Sequence, residues 1–182
     1  MTKTNDKHWA DTVQRMSACR EAVLWLRSYD TPNGAWRACE RGDWMLWIVG
    51  KSVGSSRTKS RRALILVTCK CARLALKYVR KGETRPLTAI ETAERWARGG
   101  ATLQEVRSAA DAAYDASKVD SPGAYDAYAY IITCAAWAAY ADPAGVYACH
   151  AAAAPKTFEE CAGIVRRHYP TVGSFRMKTR SE

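Results

Sequence analysis

The sequence lacks the local motifs by which many enzymes and nucleotide-binding domains are identified. It contains neither GxGxxG nor GxxxxGK[ST], the glycine-rich loops that cradle phosphates. Gly50-Lys51-Ser52 resembles the end of the second motif, but residues 44–49 supply no glycine at the required spacing. No local signature of a nucleophilic cysteine surrounds any of the seven cysteines. We therefore expect a protein that is not an enzyme and that needs no cofactor.

Long uncharged apolar runs are also missing. No window of 18 apolar residues is free of charge, which argues against a transmembrane helix. Residues 1–20 lack the apolar central run of a signal peptide. The cysteines are odd in number and several lie in apolar helical stretches, which indicates free thiols in a reducing compartment. We expect a soluble cytoplasmic protein with no membrane contact.

The cysteines and histidines do not have the spacing of a metal site. On a helix, Cys69 and Cys71 would point about 200° apart and could not chelate one ion. Cys149-His150 and the Cys161–His168 pair lack zinc-finger spacing. The sequence therefore predicts no metal ligands.

Helical periodicity dominates what the sequence does contain, and no convincing alternation of β-branched residues indicates a strand. Apolar steps of three and four residues, separated by turn signals, predict helices over about 8–28, 35–41, 44–49, 59–81, 87–98, 124–141, 144–153 and 157–168. Thr102 and Glu105 form the capping box of a further helix. We expect an all-α fold: a single-domain irregular bundle of about eight helices over residues 8–170, with flexible tails at 1–7 and 171–182.

Positive charge is concentrated in one stretch. The net charge is +10, and residues 57–85 hold ten Lys or Arg against a single acid, Glu83. Such a local field attracts anionic partners, although a basic face can equally be a solvated surface without a ligand. The predicted basic patch consists of Lys59, Arg61, Arg62, Lys70, Arg73 and Lys77. Direct nucleic-acid binding through this helix is the alternative, but no known DNA-binding motif is legible.

Two predicted helix starts combine charges with large aromatic rings. We expect a pocket where Arg41, Asp43 and Trp47 approach three residues of the second start, because helix N-termini can hold an anion. Those three residues are Arg85, Glu91 and Arg95. A buried ion-pair network that locks the two starts together is the alternative interpretation, and the tryptophans fit a core equally well.

Several short segments together resemble a known family. They are Cys19-x-Glu21-Ala22 with Trp25-Leu26, Ala35-Trp36, Cys39 with Gly42-Asp43-Trp44-Met45-Leu46-Trp47, Cys71-Ala72-Arg73-Leu74-Ala75, Glu83-x-Arg85-Pro86 with Glu91–Gly99, and Cys161-Ala162-x-Ile164-Val165-Arg166. In these segments the chain resembles, from about residue 15 to 170, the fifth numbered family of immunity proteins from polymorphic toxin systems, a family also found in phages and mobile elements.

This resemblance implies an all-helical, non-catalytic inhibitor that neutralises a toxin or host-defence component by stoichiometric binding, with a phage counter-defence role as one form of it. Immunity proteins against nucleases are typically acidic, whereas residues 57–85 are strongly basic. The basic stretch therefore favours an anionic partner, either a protein surface or a nucleotide messenger. A nucleic-acid-binding accessory protein is the alternative function, and Ala/Tyr surfaces leave a homodimer open.

Overall fold

The computed structural model describes residues 8–53, 58–118 and 155–174. These ranges contain α-helices and short 3-10 segments but no strand, so the all-α prediction is confirmed. The helices are α1 (Ala10–Arg15), α2 (Arg20–Leu26), α3 (Pro32–Ala38), α4 (Gly42–Ser52), α5 (Lys59–Arg73), α6 (Arg85–Ala97), α7 (Leu103–Ser117) and α8 (Pro155–His168), and the 3-10 segments are Leu76–Tyr78 and Val172–Ser174. The helices predicted at 124–141 and 144–153 lie outside the described residues.

The single helix predicted over 8–28 is wrong, because the chain turns sharply between α1 and α2. Ser17 has a φ of 68°, in the left-handed region that ends a right-handed helix. Cys19 is extended, and α2 then begins at Arg20. The apolar spacing continues across this break because Val13 of α1 and Val23 of α2 are both buried.

Threonine side chains cap several of the described helices. The capping box is confirmed: the Glu105 amide donates to Thr102 Oγ1 at 3.2 Å, and the Thr102 amide donates to Glu105 Oε2 at 2.7 Å. Thr58 Oγ1 likewise accepts from the amide of Arg61 at the start of α5. The helix predicted over 44–49 begins two residues earlier than expected, at Gly42.

The helix predicted over 59–81 is shorter than expected but occupies the centre of the described core. It ends as an α-helix at Arg73 and continues as the 3-10 segment. Leu64, Ile65 and Val67 on its apolar face are almost completely buried. This face packs against α4, α6 and α8, and α6 packs in turn against α7.

A close approach of backbones joins α4 to α8. A Cβ built at Gly42 would lie 2.6 Å from the backbone nitrogen of Ala162 and would overlap Cys161. Only glycine fits there without displacing α8. None of the helices in the described ranges is long and apolar enough to cross a lipid bilayer.

Candidate functional site

The first predicted helix start forms a closed arrangement that we call the Arg41 cluster: Arg41, Asp43, Trp44 and Phe158. Arg41 Nε donates to Asp43 Oδ1 at 3.0 Å, and Nη2 donates to Oδ2 at 2.8 Å. Asp43 is only 2% exposed. This hydrogen bond raises the pKa of Arg41 above its ordinary value, against the opposing effect of burial. The pair is therefore bidentate and buried on its acidic side.

Two aromatic rings cover the guanidinium of Arg41. Its Cζ lies 4.5 Å from the centroid of Trp44 and 4.7 Å from that of Phe158. Both distances are within the range of a cation–π contact. Glu21 Oε1 lies 3.7 Å from the remaining terminal nitrogen, Nη1. The binding capacity of this arginine is thus used largely within the protein, by an ion pair within one of the two predicted helix starts.

The third residue predicted at this start, Trp47, belongs to the core. It is 7% exposed, and the amine of Lys51 lies 5.4 Å from its ring centroid. A cavity of about 80 Å³ lies beside it among α1 to α4. The cavity is lined almost entirely by apolar groups, including Trp9, Trp25, Trp36 and Trp44. A tryptophan-rich core explains most of the unusual tryptophan content.

The second predicted helix start lies in a different pair of helices. Arg85 donates to Glu83 through Nε at 2.9 Å and through Nη2 at 2.5 Å, at the beginning of α6. Glu91 and Arg95 are exposed further along this helix. α6 packs against α5 and α7, whereas α4 packs against α5 and α8. The structure pairs Arg41 with Asp43 and Arg85 with Glu83, and a pocket between the two helix starts stays a prediction.

The predicted basic patch divides into exposed and covered members. Lys59, Lys70, Arg73 and Lys77 are exposed. Arg61 corrects the prediction: it is 3% exposed, and burial lowers the pKa of its guanidinium. A residue buried to this extent cannot contribute to an outer basic face.

Two members of the patch, Arg62 and the exposed Lys77, contact aromatic rings. Arg62 is half-buried with its Cζ 5.7 Å from the ring centroid of Trp96, and its Nε finds no hydrogen-bond partner in the described parts of the chain. The amine of Lys77 lies 5.1 Å from the ring centroid of Tyr78. The positive residues therefore do not form one continuous wall along α5.

The clearest concave site near the patch is a groove of about 330 Å³ that we call the α5–α8 groove. Its lining comes from α5, from the end of α6 and from the end of α8. The lining residues are Ala63, Leu66, Val67, Lys70, Glu94, Arg98, His168 and Tyr169. The groove combines an apolar floor with charged groups at its rim, which is typical of small binding sites.

Lys70 is held in position across the groove by a histidine of α8. Its Nζ lies 2.9 Å from Nε2 of His168, and Nδ1 of the same ring lies 3.0 Å from the carbonyl oxygen of Ile164. A carbonyl can only accept a hydrogen bond, so Nδ1 carries the proton and Nε2 accepts from Lys70. Lys70 has two further N–H groups to donate.

The carboxylate in the groove, Glu94, is already occupied by arginines. Arg73 donates to both of its oxygens at 3.1 Å, and Nη1 of Arg98 lies 3.8 Å from one of them. The first contact raises the pKa of Arg73. Among the lining residues, Lys70 and Arg98 are cationic and Glu94 is anionic, and Arg73 outside the lining is paired with Glu94, so the groove has a surplus of positive charge.

The sequence predicted Lys70 but missed Arg98 and His168 as its neighbours in this groove. His168 is 98 residues away from Lys70 along the chain. No local pattern marks such a pairing, because it depends on how α8 packs against α5. Phe158 was missed in the Arg41 cluster for the same reason.

The thiols of the described residues are poorly suited to nucleophilic chemistry. The five cysteines there are free, and all but Cys19 are buried. Burial raises the pKa of Cys39 to about 11 and that of Cys69 to about 12, which disfavours the reactive thiolate. No group of three or more His, Cys, Asp or Glu residues able to hold a metal ion occurs in the described ranges. Cys134 and Cys149 lie outside those ranges.

Comparison with known proteins gives one match. Residues 54–169 match the family described as "Imm-5 like putative immunity protein". This range includes α5 to α8 and therefore the α5–α8 groove, whereas α1 to α4 precede it. The family match begins at residue 54, whereas the resemblance inferred from the sequence begins at about residue 15. No curated protein and no solved structure matches the chain.

Proposed function

This chain belongs to the Imm-5 like immunity-protein family, and on that premise we propose that it neutralises a toxin by stoichiometric binding through the α5–α8 groove. The family assignment supports a non-catalytic immunity role. The finer part of the proposal is that the bound surface of the toxin is anionic around the contact. The observation that carries it is the positive surplus of a groove that also has an apolar floor.

The exposed state of the charges supports binding rather than folding as their role. The side chain of Arg98 is 63% exposed, and Lys70 is also exposed. Exposed ion pairs stabilise a fold by only about 0–1 kcal/mol. Charges of this kind have a larger effect on recognition, because complementary potentials accelerate association and reject partners of the wrong charge.

The test is complex formation with candidate toxin domains. The two chains are co-expressed, and size-exclusion chromatography with light scattering measures the mass of the complex and of the free chain. We expect a complex of fixed stoichiometry and no turnover of the toxin. If the free chain has twice the monomer mass, it is a homodimer before it binds the toxin.

A charge-reversal pair locates the contact on the surface. Lys70→Glu combined with Arg98→Glu should weaken toxin binding by at least about tenfold, since each reversal places a like charge against the partner. Lys59→Glu reverses another exposed lysine of α5, outside the groove lining, and serves as the matched control. Equal loss in both variants, or no complex with the toxin, would contradict the proposal.

Nucleic-acid binding is the second candidate, and the exposed lysines of α5 are the observation that favours it. It predicts a gel shift with duplex DNA that declines steeply with salt, because cations of the protein displace counterions from the phosphates. We expect no such shift for the wild-type chain at low salt. A shift that is lost in the Lys70→Glu/Arg98→Glu variant would favour this candidate over toxin binding.

A further inference from the structure

We propose that the α5–α8 groove is a subsite for one carboxylate of the partner protein together with the apolar side chain that carries or adjoins it. The inference deepens the proposed function and rests on it for the identity of the partner as a protein. The ligand would be a carboxylate attached to an aromatic or aliphatic body.

The floor of the groove selects an apolar body. Ala63, Leu66 and Val67 lie on one face of α5, and Tyr169, which directly follows α8, also lines the groove. A carbon skeleton that covers this floor displaces water from it. The favourable free energy gained is proportional to the apolar area that becomes covered.

The rim supplies cations from two helices. Lys70 comes from α5, and Arg98 directly follows the last residue of α6. Because His168 accepts from Lys70, the ammonium is oriented towards the groove wall before any ligand arrives. A positioned donor loses less side-chain entropy on binding than a free lysine would lose.

The identity of the partner as a protein favours a carboxylate over a phosphate. Lys70 and Arg98 are the cations of the lining, and the charge of Glu94 is already paired with Arg73. An aspartate, a glutamate or the C-terminal residue of the partner would supply one carboxylate to these cations. The carbonyl ends of α6 and α8 add partial negative charge nearby, which disfavours a dianion more than a single carboxylate.

The volume limits the ligand to about one side chain. At about 330 Å³ the groove is at the lower end of the range for small-molecule sites. It can hold a phenyl or isobutyl group with its carboxylate, but not a whole dinucleotide. The groove is therefore an anchor point within a larger protein interface rather than a complete ligand site.

The experiment uses three small probes on the full-length, isotopically labelled chain. Phenylacetate has both the ring and the carboxylate, phenylacetamide has the ring without the charge, and acetate has the charge without the ring. Titrations are followed by the amide resonances of residues 66–70, 98–100 and 168–169. We expect phenylacetate to shift these resonances in the millimolar range, and the other two probes to bind at least about fivefold more weakly.

Two lysine variants test the assignment of the charge. Lys70→Gln should weaken phenylacetate by about fivefold, and Lys70→Arg should restore most of the affinity. The control Lys59→Gln should bind like wild type, and retained amide spectra show that each variant is folded. Equal binding of phenylacetamide would overturn the role of the charge, and equal binding of acetate would indicate an adventitious ion only. An equal loss in Lys59→Gln would overturn the location.

Failure of this inference and failure of the proposed function give different results. If phenylacetate does not bind but the toxin complex is lost in the Lys70→Glu/Arg98→Glu variant, the immunity role stands and the subsite is overturned. If phenylacetate binds as described but no toxin complex forms, the subsite stands and the proposed partner is overturned.

Discussion

The Arg41 cluster and the α5–α8 groove are built from the same kinds of residue and differ in how those residues are satisfied. In the cluster, one arginine meets a buried carboxylate and the faces of two aromatic rings. In the groove, the carboxylate of Glu94 is shared by two exposed arginines, while Lys70 contacts the imidazole of His168. The charges of Arg41 and Asp43 offset each other, whereas the cations at the groove outnumber its one carboxylate.

The comparison teaches that burial and pairing, rather than composition, separate a structural charge from one that is free to bind. Removing one partner of a buried pair leaves an uncompensated charge in a poorly solvated place. An exposed charge that loses its partner is simply hydrated. Substitutions in the cluster should therefore change stability, and substitutions in the groove should change binding.

The largest expected effect is that of Asp43→Ala. Without the carboxylate, the half-buried guanidinium of Arg41 keeps its two rings but loses a bidentate partner. We expect the free energy of unfolding to fall by about 3 kcal/mol, at the lower end for a broken buried pair because Arg41 retains some contact with water. Urea unfolding followed by circular dichroism measures this change.

The matched control for Asp43→Ala is Asp111→Ala, which removes an exposed carboxylate from α7. It should change the free energy of unfolding by less than about 0.5 kcal/mol. Binding of phenylacetate should be unaffected in both variants. If Asp43→Ala were as stable as Asp111→Ala, the cluster would not be a structural lock, and the contrast between the two regions would collapse.

The structure shows why the cluster was easier to predict than the groove. Arg41 and Asp43 are two residues apart, so their pairing at a helix start could be anticipated as an ion-pair network. The α5 to α8 helices also followed from apolar periodicity, and the start of α7 followed from its capping box. These features depend on neighbours in the sequence.

Features that depend on packing between distant helices could not be predicted in this way. The groove needs α5 and the ends of α6 and α8 together, and the sequence carries no signal for that arrangement. Arg61 looked like part of a basic face because its neighbours are basic, yet the rotation of α5 turns it inward. The break at Ser17 was missed because burial on both sides of it keeps the helical spacing of apolar residues.

A smaller effect is expected from Gly42→Ala, which tests the helix contact beneath the cluster. The added methyl group would lie 2.6 Å from the backbone nitrogen of Ala162, so α8 has to shift. Overpacking of this kind costs about 2 kcal/mol, and an alanine inside a helix returns part of that cost. Thermal unfolding measures the change, with Gly100→Ala as a control whose nearest neighbour lies at 3.6 Å. An unchanged stability of Gly42→Ala would show that α4 and α8 are not locked together.

The smallest effect concerns Glu83 and Arg85, a pair intermediate between the two regions because its carboxylate is covered and its guanidinium is half exposed. The hydrogen bond from Arg85 lowers the pKa of Glu83 from the ordinary 4.5 to about 2. A folded-state pKa below the unfolded value stabilises the protein above the unfolded pKa, and this contribution is lost as the pH falls from about 4.5 to about 2. A double-mutant cycle of Glu83→Gln and Arg85→Gln, measured by urea unfolding at several pH values, should therefore give a coupling that is present at neutral pH and declines through this window. A coupling that persists unchanged at about pH 2 would mean that the contact does not depend on the charge of Glu83, and the pair would then belong with neither the cluster nor the groove.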